Sequence, residues 1–190
     1  FLFIPPSAGG QDKANLPMHG FQVRELSGTT GLRESALVHI EFVGARAVEP
    51  YGSAALSHPS NYFLGRGPGW TNVPTFGEVV YASLYDGIDL VYRMTREGPK
   101  YEFRVAAGAD ETAITLRYSG ATQVELTDAG ELLLRTSAGD LFDSAPTALE
   151  GEAPTGCSFA LSPSNDVSFR CQRNSPEKTL TIDPLVYSTF

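Results

Sequence analysis

The chain has 190 residues, of which 42% are hydrophobic and 19% are charged, a balance typical of a folded protein that can bury a substantial apolar core. Its formal net charge of -8, with Lys and Arg scattered singly, argues against nucleic acid or an anionic membrane surface as the main partner. No apolar run approaches the roughly 20 residues that cross a bilayer, so we expect no membrane insertion.

The chain begins with four apolar residues, FLFI, followed by two prolines. We interpret them as a strand of the fold, because a signal peptide would need a basic segment ahead of them. Since the first residue is Phe1 rather than Met, we expect a fragment or a processed unit of a longer protein. Segments 7–16 and 148–156 resemble linkers but are too short to require two domains. We therefore predict a single domain over residues 1–190.

Alternation of apolar and polar residues with a period of two predicts β-strands along the rest of the chain. The residues expected on buried faces are Val38, Ile40, Phe42, Tyr101, Phe103, Val105, Ile114, Leu116, Tyr118, Leu180 and Ile182. Turn-forming sequences separate the strands: YDGID at 85–89, TDAGE at 127–131, SAGD at 137–140 and SPSND at 162–166. No segment has a convincing helical period. The pattern predicts an all-β fold, an antiparallel β-sandwich or partly closed barrel of about ten short strands.

Residues 70–105 combine the single Trp of the chain with several tyrosines and many turn residues. The aromatic residues of this segment that could stack on a sugar ring are Trp70, Tyr81, Tyr85, Tyr92 and Tyr101. The alternative, which we favour, is that these rings fill a sandwich core and that the nearby Asn and Asp residues build turns. The candidate ligand-binding residues are Trp70, Asn72, Tyr85, Asp86 and Asp89.

Catalytic and metal-binding patterns are weaker. Asp86, Asp89 and Glu102 could supply paired carboxylates for glycoside hydrolysis, but among 22 Asp and Glu residues a chance pair is expected. The three histidines are scattered, and no nucleophile elbow, phosphate-binding loop or zinc-ligand spacing accompanies them. We predict no catalytic residues, no metal ligands and no cofactor. The turns DGID and SPSND are rich in the oxygen ligands that calcium prefers, so calcium binding at one of them stays an open alternative.

The two cysteines lie on either side of the loop at 162–166. Pairing Leu161 with Val167 across this loop sets the register of a hairpin and places Cys157 directly opposite Cys171. Directly opposed residues of antiparallel strands are about 4.5–5.5 Å apart, which is within reach of a disulfide bond. A disulfide predicts an oxidising, extracytoplasmic compartment, whereas two reduced, buried cysteines are the alternative.

Five short motifs occur in a fixed order: SNYF at 60–63, WTNVP at 70–74, YDGIDL at 85–90, GAD at 108–110 and IDP at 182–184. Together they resemble an uncharacterised β-rich domain that precedes SBBP-type (β-propeller) repeats in large secreted bacterial proteins. The resemblance implies a secreted or cell-surface location, adjacent repeat domains of the same precursor as partners, and no established catalytic residues. The segment that holds the cysteine pair departs from the family pattern.

These observations lead us to expect a non-enzymatic extracellular structural or adhesion module that scaffolds a repeat region or a surface assembly. A carbohydrate-binding module that binds surface glycans through the Trp70 region is the first alternative, and a hydrolase of surface polymers is the second. Both ends of the chain, FLFI and PLVYSTF, are apolar. We predict that at least one of them pairs in a sheet, either within its own domain or with another copy.

Overall fold

The computed structural model describes residues 19–24, 35–63, 69–95, 98–184 and 186–188. These residues form an all-β structure, with one single-turn 3-10 helix at Glu111–Ala113. The described part contains eighteen strands, where alternation indicates about ten. Strands of three or four residues carry too few side chains to display a period of two, which accounts for the difference.

In chain order the strands are β1 (His19–Arg24), β2 (Ser35–Phe42), β3 (Tyr51–Ala55), β4 (Ser60–Tyr62), β5 (Trp70–Val73), β6 (Phe76–Tyr85), β7 (Ile88–Thr95), β8 (Gly98–Val105), β9 (Thr115–Ser119), β10 (Gln123–Leu126), β11 (Leu132–Thr136), β12 (Gly139–Asp143), β13 (Thr147–Glu150), β14 (Ala153–Thr155), β15 (Cys157–Leu161), β16 (Asp166–Cys171), β17 (Leu180–Asp183) and β18 (Val186–Ser188).

The strands form four antiparallel sheets. A five-stranded sheet has the order β1–β2–β9–β16–β15, and a seven-stranded sheet has the order β14–β13–β17–β8–β7–β6–β3. A four-stranded sheet has the order β10–β11–β12–β18, and β4 pairs with β5 alone. Within the described residues each sheet is open at both ends, so the architecture is sandwich-like and no sheet closes into a barrel.

The predicted turn sequences connect consecutive strands, as expected. Asp86 and Gly87 form the two-residue loop between β6 and β7, where Tyr85 pairs with Ile88. Gly87 has a φ of 68°, a conformation that glycine adopts without steric cost. The sequences TDAGE, SAGD and SPSND likewise join β10 to β11, β11 to β12 and β15 to β16.

The predicted buried faces are confirmed. All eleven residues expected there, from Val38 to Ile182, are at most 9% exposed, and they belong to a core cluster that the three larger sheets share. Phe103 of β8 packs edge-on against Phe42 of β2 and Phe169 of β16, with ring centroids 6.0 and 5.6 Å away. These contacts join the seven-stranded sheet to the five-stranded sheet.

The cysteine hairpin also has the predicted register. Leu161 pairs with Val167, Cys157 pairs with Cys171, and the two cysteines form a disulfide bond. The strand near the end of the chain, β18, pairs with β12 of the same chain, which agrees with the prediction that at least one end pairs in a sheet. The FLFI segment lies outside the described residues.

Candidate functional site

The five candidate ligand-binding residues fall into two groups. Trp70 and Asn72 lie in β5, shortly before β6 begins, whereas Tyr85 and Asp86 lie at the far end of β6 and its turn, with Asp89 in β7. Strand β6 has ten residues, and a strand rises about 3.3 Å per residue, so the two ends of β6, near which the two groups lie, are roughly 30 Å apart. One small ligand cannot contact both.

Tyr85 belongs to the interior. Its side chain is buried, and its hydroxyl lies 3.2 Å from the carbonyl oxygen of Val43 and 3.3 Å from that of Thr115. Burial raises the pKa of Tyr85 to about 12, although the hydrogen bond with the Thr115 backbone acts in the opposite direction. This tyrosine therefore anchors the β6–β7 hairpin to the five-stranded sheet.

Asp86 and Asp89 both have partners near the β6–β7 turn. Asp86 is exposed and pairs with Arg46 at 3.1 Å. Asp89 accepts a hydrogen bond of 2.7 Å from the backbone N–H of Ser83, which has a φ of 51° in the irregular part of β6. These contacts hold the turn and the bulge in place.

The Trp70 end carries a concentration of exposed apolar side chains. Nine large hydrophobic residues are exposed in the described part of the chain, and six of them lie between residues 51 and 76. We call this set the aromatic surface: Tyr51, Leu56, Tyr62, Phe63, Trp70 and Phe76. Phe63 is 72% exposed and Trp70 is 61% exposed, so their rings are accessible to a ligand.

The aromatic surface lies along one antiparallel ribbon. Strand β3 is the edge of the seven-stranded sheet, and Ala55 pairs there with Phe76 of β6. The backbone N–H of Leu56 then donates to the carbonyl of Thr75 at 2.8 Å, and the hydroxyl of Thr75 donates to the carbonyl of His58. Beyond these contacts, the β4–β5 hairpin forms a separate two-stranded sheet. In that hairpin Tyr62 pairs with Trp70, and directly paired residues project from the same face.

Two glycines support rings of this surface. A Cβ atom on Gly69 would overlap the ring of Phe63, and a Cβ atom on Gly52 would overlap the ring of Phe76. The two rings therefore lie directly against backbone, where no other residue type leaves room for them. This close contact restricts side chains that are otherwise exposed to solvent.

The polar groups of the ribbon are amides and hydroxyls. The backbone N–H of Asn72 donates a 2.7 Å hydrogen bond to the side-chain carbonyl of Asn61, which fixes Asn72 at a φ of 58° beside Trp70. Asn61 and the exposed rings of Phe63 and Phe76 were not among the sequence candidates. The motif SNYF at 60–63 contains two of these residues and was the available signal.

A second cluster lies in the core. Asp143 of β12 is fully buried, and it accepts hydrogen bonds from the hydroxyls of Tyr101 of β8 at 2.8 Å and Tyr118 of β9 at 3.1 Å. Burial raises the pKa of Asp143 to about 7, although both tyrosine hydrogen bonds act to lower it. Because β8, β9 and β12 belong to three different sheets, this carboxyl group connects all three.

Two of the remaining aromatic candidates are next to this cluster. The ring of Tyr92 lies 6.1 Å from the ring of Tyr81 and 6.1 Å from that of Tyr101. Tyr81 and Tyr101 are buried. Of the five rings proposed for sugar stacking, Trp70 alone belongs to the aromatic surface.

Glu102 forms part of an ion-pair network on the other face of the seven-stranded sheet. Its carboxylate is 2.8 Å from Arg93 and 2.6 Å from Arg104, and both arginines also contact Glu78, at 3.1 and 3.3 Å. The network crosses β6, β7 and β8. Glu102 thus stabilises the pairing of these three strands.

In the described ranges, no group of three or more His, Cys, Asp or Glu side chains is arranged to hold a metal ion. The carboxylate in the SPSND loop, Asp166, forms a two-point ion pair with Arg117 at 2.7 and 3.0 Å. The described residues also contain no helix of the length and apolarity that a membrane span requires.

The fold and this surface define an all-β protein with a disulfide-linked hairpin and an aromatic ribbon at one sheet edge. The chain belongs to the family described as a domain of unknown function (DUF7948), whose sequence model matches residues 7–185. No curated protein and no solved structure shows significant similarity to the chain.

Proposed function

We propose that this chain is a non-enzymatic structural and adhesion module of an extracytoplasmic bacterial protein, and that the aromatic surface is its binding surface. The observation that carries the proposal is the concentration of six exposed, large apolar side chains on the ribbon that begins at β3. Contiguous exposed apolar patches on folded proteins mark sites that contact other molecules.

The construction of the ribbon supports a binding role. The β4–β5 hairpin of the ribbon belongs to none of the three larger sheets that share the core, and its side chains are mostly exposed. Exposed rings of Phe63 and Phe76 nevertheless rest on glycine backbone. A binding surface gains affinity when its contact groups are already restricted before the ligand arrives.

Two observations support an extracytoplasmic setting. The Cys157–Cys171 disulfide is of the kind that persists in oxidising compartments. The sequence also resembles the β-rich domain that precedes SBBP-type repeats in large secreted bacterial proteins. On that resemblance, the module scaffolds adjacent repeat domains of its own precursor at the cell surface.

The test is the binding of fluorescently labelled protein to intact cells of the organism that produces it. The variant combines Tyr62→Ala with Trp70→Ala. The matched control combines Leu126→Ala with Leu149→Ala, which removes two apolar side chains that are 40% and 44% exposed away from the ribbon. We expect saturable binding by the wild type and the control, and a loss of about 10-fold or more in affinity for the aromatic variant, equivalent to about 1.4 kcal/mol.

Circular dichroism and thermal unfolding of all three proteins establish that each is folded. Equal binding by the three proteins would overturn the assignment of the aromatic surface. An absence of saturable binding by the folded wild type would overturn the adhesion role itself.

A further inference from the structure

The aromatic surface differs in charge from the rest of the protein. Between Tyr51 and Gly77 the sequence contains one charged residue, Arg66, and no Lys, Asp or Glu. All 22 Asp and Glu residues and all but one of the 14 Lys and Arg residues lie elsewhere. Among the described residues of this ribbon, no Lys, Arg, Asp or Glu side chain is present to complement a ligand that carries many charges. Long-range attraction requires clustered opposite charge.

We propose that the aromatic surface binds a neutral polysaccharide. This inference rests on the proposed function, because it names the ligand class of the same binding surface.

The arrangement of rings fits the chemistry of a sugar chain. A sugar ring has an apolar face of C–H groups and a rim of hydroxyls, and exposed aromatic rings offer a flat apolar surface with a weakly negative face. Tyr62 and Trp70 are directly paired across the β4–β5 hairpin, and thus present two rings on one face. Successive sugar units of one chain can contact the two rings.

The polar groups beside these rings match the rim of a sugar. Thr71 and Asn72 are exposed and follow Trp70 directly. Sugar hydroxyls both donate and accept hydrogen bonds, as do the threonine hydroxyl and the asparagine amide, whereas carboxylates only accept and ammonium groups only donate. The hydrogen bond from the Asn72 backbone to Asn61 fixes this part of the hairpin before a ligand binds.

The dimensions of the ribbon favour a narrow ligand over a folded protein partner. Strand β4 has three residues and β5 has four. A stable protein–protein interface buries about 800 Å² on each partner and has a polar, often charged rim. A ribbon two strands wide, whose polar groups are amides and hydroxyls, fits an extended polymer chain better than a broad protein surface.

The test uses the cell-binding assay with cells treated in two ways. Periodate cleaves vicinal diols of glycans, and protease removes surface proteins. We expect binding that depends on Tyr62 and Trp70 to fall at least about 10-fold after periodate and to survive protease. We also expect binding to change by less than about 2-fold between roughly 0.05 and 0.5 M NaCl, because a neutral ligand is not screened by salt.

Each other outcome overturns the inference in a distinguishable way. Aromatic-dependent binding that protease abolishes and periodate spares means a protein ligand, so that the proposed adhesion function stands and the polysaccharide inference fails. Binding that periodate abolishes but that also weakens steeply with salt means an anionic glycan. Wild-type binding that does not depend on Tyr62 and Trp70 removes the site on which both proposals rest.

Discussion

The aromatic residues of this protein occupy two contrasting regions. In the core, rings from different sheets contact one another, and the hydroxyls of Tyr101 and Tyr118 donate to the buried carboxyl group of Asp143. On the ribbon, Tyr62 and Trp70 are at least half exposed, and their neighbours are amides, hydroxyls and glycine backbone. The residue types are alike, and the surroundings decide what they do.

The contrast between the core rings and the ribbon rings follows from the free-energy cost of burying a polar group. A buried hydroxyl or carboxyl needs a hydrogen-bond partner, so the core tyrosines are tied to specific atoms across three sheets. An exposed ring retains water contacts until a ligand displaces them, so the ribbon contributes little to folding. Substitutions in the core should therefore change stability, and substitutions on the ribbon should change binding.

The largest expected effect is that of Phe103→Ala. Phe103 is fully buried and contacts two rings of the facing five-stranded sheet, so truncation should lower the free energy of unfolding by about 3–5 kcal/mol. Urea unfolding measured by fluorescence checks this value. Phe63→Ala is the matched control, since the same ring is removed at a position that is 72% exposed. Equal losses in the two variants would break the distinction between the regions.

The disulfide is expected to have the next largest effect. Its cysteines are separated by 14 positions, and closing a loop of this size stabilises the folded state by about 3 kcal/mol in the chain-entropy account. Replacing Cys157 and Cys171 together by Ser should lower the free energy of unfolding by about that amount. Mass spectrometry after alkylation without reductant should find no free thiol in the wild type. Two alkylated thiols would contradict the bond.

The buried Asp143 predicts that the free energy of unfolding depends on pH, with a smaller effect than either of the two changes above. Its pKa is raised from 3.8 to about 7 in the folded protein, chiefly by burial, so the folded state binds this proton more tightly than the unfolded state does. The resulting stability is fully present below about pH 4 and is lost as the pH rises to about 7. Between pH 5 and pH 7 the loss should be about 2 kcal/mol.

Asp143→Asn isolates this contribution, because an amide does not titrate in that range. The difference in unfolding free energy between wild type and variant should change with pH between 5 and 7, whereas Asp86→Asn at an exposed position should follow the wild type. Urea unfolding at several pH values gives the comparison. Parallel curves for wild type and Asp143→Asn would show that the buried carboxyl group does not titrate there.

Local patterns predicted much of the fold, and long-range contacts explain what they missed. The register of the cysteine hairpin follows from a five-residue loop, so the pairing of Cys157 with Cys171 could be read from the sequence. Asp143, in contrast, receives its hydrogen bonds from residues 42 and 25 positions away. The sequence does show that Asp143 lies two residues after Leu141, so both side chains face the same, buried side of the strand. That position is the local sign that the carboxyl group of Asp143 is buried.

The two aromatic regions could not be separated from the sequence for the same reason. Tyr81 and Trp70 lie in neighbouring strands of one segment that is rich in aromatic residues, and alternation alone does not say which strand is covered by another sheet. Tyr81 is buried because β6 lies inside the seven-stranded sheet, whereas Trp70 is exposed because β5 pairs with β4 alone. The choice depends on pairings that are distant along the chain.

The smallest expected change in stability is that of Trp70→Ala, and it is the sharpest test of the comparison. Trp70 has 61% of its surface exposed and belongs to a hairpin outside the core, so its truncation should alter the free energy of unfolding by no more than about 0.5 kcal/mol. The same substitution should weaken cell binding by about 10-fold. Urea unfolding and the binding assay on one preparation measure both effects. A loss of stability of 2 kcal/mol or more, a value typical of buried side chains, would mean that Trp70 is a structural residue like Phe103.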